Sequence, residues 1–253
     1  DLYNIGTLGF RGEALASIGS IAHVKAISRV KDNPSANCIE IDCGEKKGPV
    51  PCSGDYGTTI QVRDIFYKLP ARRKFLRTAN TEMGHITEQF NRIALVHTDI
   101  DLTLIHNGRE KYKLNKGQGL QKRISQLFSS EIAQNLVETD IEEKNIHIYG
   151  LLGKPETSKT TNKFQYVFLN GRFIRDKFIS HAIREAYRGH IELNRFAVVF
   201  LYINMPNKDY DVNVHPTKTE VRFYNANLLH SQVLGCLREK LLERDFEVNI
   251  NAD

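Results

Sequence analysis

The apolar residues of this chain recur with two different periods, and the switching between them confines it to folds that mix sheet with helix. Period-two alternation marks "AHVKAISRV" (22–30) and "ANCIEIDC" (36–43). It marks "GDYGTTIQVRDIF" (54–66) as well, where Ile60 and Val62 face one way. Helical spacing takes over in "LPARRKFLRT" (69–78), where Pro70 suits a first turn. A longer helix follows in "TEMGHITEQFNRIALVH" (81–97), with Ile86, Phe90, Ile93 and Ala94 on one face. "DLTLIHNGREKYKL" (101–114) reads as a hairpin turning at Asn107-Gly108.

The polar, glycine-containing "NKGQG" (115–119) is the expected linker, and the pattern restarts beyond it. A helix is expected near 120–129, strands near 145–153 and 164–170, a helix over 176–188 and a strand over 196–204. Strands near 210–214 and 219–223 precede a last helix near 227–244. Two α+β units divided near residue 118 follow from this order. A length of 253 residues accommodates them.

The longest apolar run, Phe196 to Ile203, is far too short to span a bilayer, so no membrane partner is expected. No signal peptide is visible in "DLYNIGT", and a start in mid-motif without methionine suggests a fragment. Cys38, Cys43, Cys52 and Cys236 form no C-x-x-C pair, which favours a reduced, cytoplasmic setting. The histidines, His181 and His190 among them, are scattered, and no structural zinc is expected. A net charge of +5 makes an anionic partner plausible without naming one.

Three features carry possible chemistry. Gly6, Gly9 and Gly12 recur every third residue ahead of the helix-forming "EALASI". Glycines free to take positive φ let backbone amides converge on a phosphate. A flexible turn before an amphipathic helix with Leu15, Ile18 and Ile21 inward accounts for the same residues. Lys218, in "DYDVNVHPTKTEVRFY", sits on a short loop between strands, either reaching an anionic ligand or simply solvated. In "NGRFIRDKFISHAIREAYRG", with Asp176 as N-cap, Phe178, Ile179, Ala182, Ile183, Ala186 and Tyr187 share one side of a helix. Lys177, His181, Arg184 and Arg188 line the other, extended by Arg172 and Arg175. Such a stripe suits a phosphate backbone as well as it suits solvent. "ARRKFLR" is a second basic cluster. No Ser-His-Asp order, H-E-x-x-H or other pattern nominates a general base.

"GFRGEALASI", "GTTIQVRDIFYKLPARRKFLR", "NGRFIRDK" and "DVNVHPTKTEVRF", in that order over nearly the whole chain, resemble the N-terminal region of the MutL DNA mismatch repair proteins. That family shares its ATPase superfamily with gyrase B, the Hsp-ninety chaperones and histidine kinases. The resemblance implies an α+β fold, an incomplete Bergerat-type ATPase α/β sandwich followed by a left-handed β-α-β transducer domain. It assigns 1–118 to the ATPase domain from the lid onward, 119–245 to the transducer and 246–253 to the start of a linker.

The resemblance also assigns roles. Gly9, Phe10, Arg11, Gly12, Glu13, Ala14 and Leu15 become the ATP lid, Thr58 part of the pocket floor, and Lys218 the lysine that reaches the γ-phosphate. Lys177 falls where the family places a basic residue implicated in DNA binding, lysine there keeping the charge but losing the planar fork of arginine; with the stripe around it, Arg172, Arg175, Lys177, Arg184 and Arg188 are the expected DNA-binding set. ATP and Mg2+ are the implied cofactors. DNA, a second copy or paralogue, and a mismatch-recognition protein of MutS type are the implied partners, in the cytoplasm or nucleoid, or the nucleus of a eukaryote.

The family's glutamate that activates water, its magnesium-binding asparagine and its adenine-reading aspartate normally lie upstream of "GFRGEAL". This piece alone is therefore not expected to hydrolyse ATP. Two rivals are a non-enzymatic nucleic-acid-binding α+β module, which leaves the glycine loop idle, and a type II topoisomerase ATPase subunit, which spells these motifs differently.

Overall fold

The computed structural model describes residues 12–212 and 220–250, with side chains as far as Glu243. The chain forms two compact units, divided along the sequence between Ile86 and Thr87. The first holds α1 (Ala14–Gly19), β1 (His23–Arg29), β2 (Ala36–Asp42), β3 (Glu45–Cys52), β4 (Gly57–Arg63) and α2 (Pro70–Arg73). Its strands form an antiparallel sheet in the order β3-β2-β1-β4. Register aligns Val24 with Ile41 and Val62, and Ala26 with Ile39 and Ile60, so one face is apolar there and turns polar where Ser28 aligns with Asn37 and Thr58. Ile60 and Val62 share that face as expected, yet on edge strand β4 they remain 46% and 45% exposed. Strand β3 escapes the alternation rule because it carries Gly48, Pro49 and Pro51; proline lacks an amide to donate, and the sheet places it at an edge. "LPARRKFLRT" yields only four helical residues, and Phe75 beyond them is exposed.

Helix α3 (Ala79–Val96) runs across the boundary between the units. The second unit continues with the hairpin β5 (Leu102–His106) and β6 (Arg109–Leu114), then α4 (Gly119–Leu127), α5 (Ser130–Gln134), β7 (Leu136–Glu143), β8 (Ile146–Gly153), β9 (Gln165–Leu169) and β10 (Arg172–Ile174). After these come α6 (Lys177–Ala186), β11 (Val199–Asn204), β12 (Tyr210–Asp211), β13 (Arg222–Phe223) and α7 (Ala226–Ile250). Asn107 and Gly108 both take positive φ, the hairpin turn that their pairing signals.

The five-stranded sheet runs β10-β9-β11-β8-β7, with β9 and β11 parallel and α6 in the connection between them. Alternate side chains of its central strands feed two cores. Val199, Leu201 and Ile203 join Ile179, Ile183, Leu229 and Val233 of α6 and α7. Phe200 and Tyr202 join Leu95 of α3, Ile124 of α4 and Ile132 of α5. Burying β11 on both faces is what its unbroken apolar run is for.

Helix α3 buries only part of the face its apolar spacing suggests, with Ala94 in the core and Phe90 packed against it. Asn91, Ala94 and Leu95 are buried, whereas Ile86 and Ile93 are each 52% exposed. A polar cluster turns the helix: the Tyr166 hydroxyl donates to Glu88 at 2.8 Å, and Arg92 Nε donates to the other oxygen of Glu88 at 3.0 Å.

The unit boundary at 86/87 lies well upstream of the division expected near 118. "NKGQG" is a closed loop rather than a free tether. Arg123 of α4, 1% exposed, donates through Nη2 to the carbonyls of Thr98 (3.2 Å), Ile100 (3.1 Å) and Asn115 (3.3 Å). Lys116 N–H reaches Asp101 Oδ1 at 2.8 Å, and Gly117 N–H reaches the Thr98 carbonyl at 3.1 Å. The hairpin is thereby bound to the helices that follow it.

Candidate nucleotide-binding and DNA-binding sites

Of the lid residues, Gly9, Phe10 and Arg11 lie outside the described residues, as does Lys218. Gly12 has φ +64, a conformation an L side chain resists. Glu13 is the N-cap of α1 without a side-chain capping bond, and Ala14 and Leu15 open the helix. Leu15 is 51% exposed, while Ile18 and Ile21 are half-buried, so α1 turns only part of its apolar side inward. Thr58 sits on β4 beside Gly57, whose φ is +105, and its hydroxyl lies 2.9 Å from that of Ser28 on β1.

The basic stripe is complete within the second unit. Asp176 caps α6 by accepting from Ile179 N–H at 2.9 Å, and burial of the carboxyl pushes its pKa up. Ile179, Ala182, Ile183, Ala186 and Tyr187 are buried as their spacing predicts. Phe178 departs from the pattern at 49% exposed. It stands about 100° from the centre of the buried stripe, where a side chain skirts the core instead of entering it.

On the opposite face Lys177, His181, Arg184 and Arg188 are exposed. The acid around them is already engaged, Asp176 in the cap and Glu185 in an ion pair with Arg188. Among the described residues no carboxylate pairs with Lys177 or Arg184. Arg175 is exposed, its guanidinium 5.8 Å from the Phe173 ring. Arg172 is only half exposed, and burial lowers its pKa, which makes it the least available of the five expected DNA-binding residues.

Spacing along the chain does not indicate the pocket of about 140 Å³ at the end of α6, which Arg184 and Arg188 line together with Asn162, Gln165 and Arg195. Arg195 is held there by Ser158, whose hydroxyl accepts from its Nε at 2.8 Å. Neither residue stands in a periodic element, so no pattern marks them.

Residues 124–242 match the family described as DNA mismatch repair protein, C-terminal domain. The chain is 40% identical over 244 residues to the DNA mismatch repair protein MutL of Pelobacter propionicus, covering 96% of this chain and 40% of that protein. It thus spans about two fifths of the length of the curated relatives it matches. Among solved structures, the N-terminal domain of a DNA repair protein superposes with TM-score 0.81 at 22% identity, covering 96% of this chain and 78% of that one, a likeness of fold. The Aquifex aeolicus MutL ATPase domain complexed with ADP superposes with TM-score 0.63 over 77% of this chain and 72% of that one, at 31% identity. By that identity and coverage, and with the mixed α+β fold of MutL ATPase domains followed by a β-α-β transducer unit, the chain belongs to the MutL family.

Proposed function

We propose that the chain is the nucleotide-responsive part of a MutL-type mismatch repair ATPase. Carrying this reading is the 31% identity to a MutL ATPase domain solved with ADP. ATP, with Mg2+, is held by the lid Gly9–Leu15 through its backbone amides and by the floor at Thr58. Lys218 reaches the γ-phosphate from the transducer domain, residues 119–245, and the linker begins at 246. Closure of the lid favours pairing with a second copy or a paralogue and engages DNA along Arg172, Arg175, Lys177, Arg184 and Arg188. A partner of MutS type supplies the mismatch signal. Hydrolysis belongs to the intact protein, where the family's upstream glutamate and asparagine complete the site.

The test is ATP turnover in the intact protein carrying Lys218→Ala. A fall of about 100-fold in kcat is expected for loss of one charge-stabilising donor at the transferred phosphate. Unchanged turnover removes Lys218 from the site.

A further inference from the structure

His181, in the exposed stripe of α6, faces His230 of α7. Nδ1 of His181 lies 3.0 Å from Nε2 of His230, with ring centroids 5.2 Å apart and planes inclined by 34°. Two imidazole nitrogens bound to one tetrahedral ion at ~2.0–2.1 Å sit roughly 3.3 Å from each other. The pair is therefore close to ligand spacing before any ion arrives. Both rings stand on helices whose neighbouring residues are locked in the core: Ala182 and Ile183 beside His181, and Leu229 beside His230, are at most 1% exposed. Little ordering is left for an ion to impose. Glu185, one turn beyond His181, places Oε1 3.9 Å from Nε2, the nitrogen turned away from His230. At that distance it makes no hydrogen bond to the ring, and the same oxygen is paired with Arg188.

We propose that His181 and His230 form a two-imidazole site for a divalent transition ion, Zn2+, Ni2+ or Cu2+, which staples α6 to α7. Among the described residues no group of three or more such ligands gathers, so water fills the remaining positions and the site is open. Imidazole selects these ions over Mg2+ and Ca2+, which take oxygen ligands, so the site is separate from the magnesium of nucleotide chemistry. An ion bound here adds its charge to the face that carries Lys177 and Arg184.

The experiment is titration of the chain with Cu2+, followed by electron paramagnetic resonance and calorimetry, with Zn2+ and Mg2+ as competitors. One equivalent of Cu2+ with hyperfine splitting from two nitrogens is expected, competed by a large excess of Zn2+ and not by the same excess of Mg2+. His181→Ala and His230→Ala should each weaken that first equivalent by about tenfold or more. His106→Ala, on the exposed hairpin, should leave it unchanged. His181→Gln, which keeps a polar side chain beside His230, should lose binding as fully as alanine. Wild-type affinity in His181→Gln or in either alanine variant, or a spectrum with a single nitrogen, overturns the proposal and leaves the pair joined by a hydrogen bond alone. Neither DNA nor nucleotide enters the measurement, so its outcome is independent of the ATPase reading.

Discussion

Gly150 in β8 has φ +147, and a Cβ built on it would stand 2.0 Å from the Phe200 carbonyl oxygen of the neighbouring strand. Backbone cannot yield as a flexible side chain does, so Gly150→Ala must part β8 from β11 at the centre of the sheet. We expect a loss of about 3 kcal/mol or more, read as a lower urea midpoint or failure to accumulate folded protein. Arg123 is the other single residue on which much depends, because three backbone carbonyls accept from one buried nitrogen. Arg123→Met keeps most of the volume and leaves those acceptors dry. It should cost about 3 kcal/mol in urea unfolding, and hydrogen exchange at residues 98–117 should rise more than at β11. Uniform exchange would mean that the loop does not rely on this side chain.

At the scale of elements, α6 is the best argued from sequence, since cap, buried stripe and basic stripe all follow from its spacing. Asp176→Ala removes the cap and should destabilise the unit by about 1 kcal/mol, and Asp176→Asn by only a few tenths. The first sheet lends itself to a pH test. Asp42 is held below its ordinary value of 3.8 chiefly by the Tyr67 hydroxyl, which outweighs the opposing effect of burial, with Lys68 adding to the lowering. Glu40 is held below 4.5 by its hydrogen bond and ion pair with Lys25, at 2.8 Å. Both carboxyls bind protons less readily folded than unfolded, so their stabilisation is full above those ordinary values and is lost as pH falls through the depressed folded ones. Protection against exchange in β1 and β2, relative to the intrinsic rate at each pH, should therefore fall below about pH 4. The Glu40→Gln, Asp42→Asn double variant should show a smaller acid response. An identical acid response in both proteins would place the sensitivity elsewhere.

For the whole molecule, the proposed DNA engagement is a matter of charge and so of salt. Replacing Lys177, Arg184 and Arg188 with glutamate should abolish retention on DNA at low salt. Partial replacements should flatten the dependence of log K on log salt by about 0.9 for each phosphate no longer neutralised. An unchanged slope would return α6 to an ordinary solvated face. Most of this molecule is legible in its sequence where short-range chemistry decides: Asn107-Gly108 dictates its turn, Asp176 its cap, the motif wording the family. Other features depend on partners distant along the chain. Glu88 and Asn91 turned inward on α3 because Tyr166 met them there. "NKGQG" became a closed loop because Arg123 lay within reach of Thr98, Ile100 and Asn115. β3 and β7 became strands because neighbours offered a ladder to sequences with little alternation of their own. His181 and His230, 49 residues apart, became a pair only when α6 and α7 packed on one side of the sheet. Local preference is written residue by residue; burial and long-range pairing exist only once the chain has closed on itself.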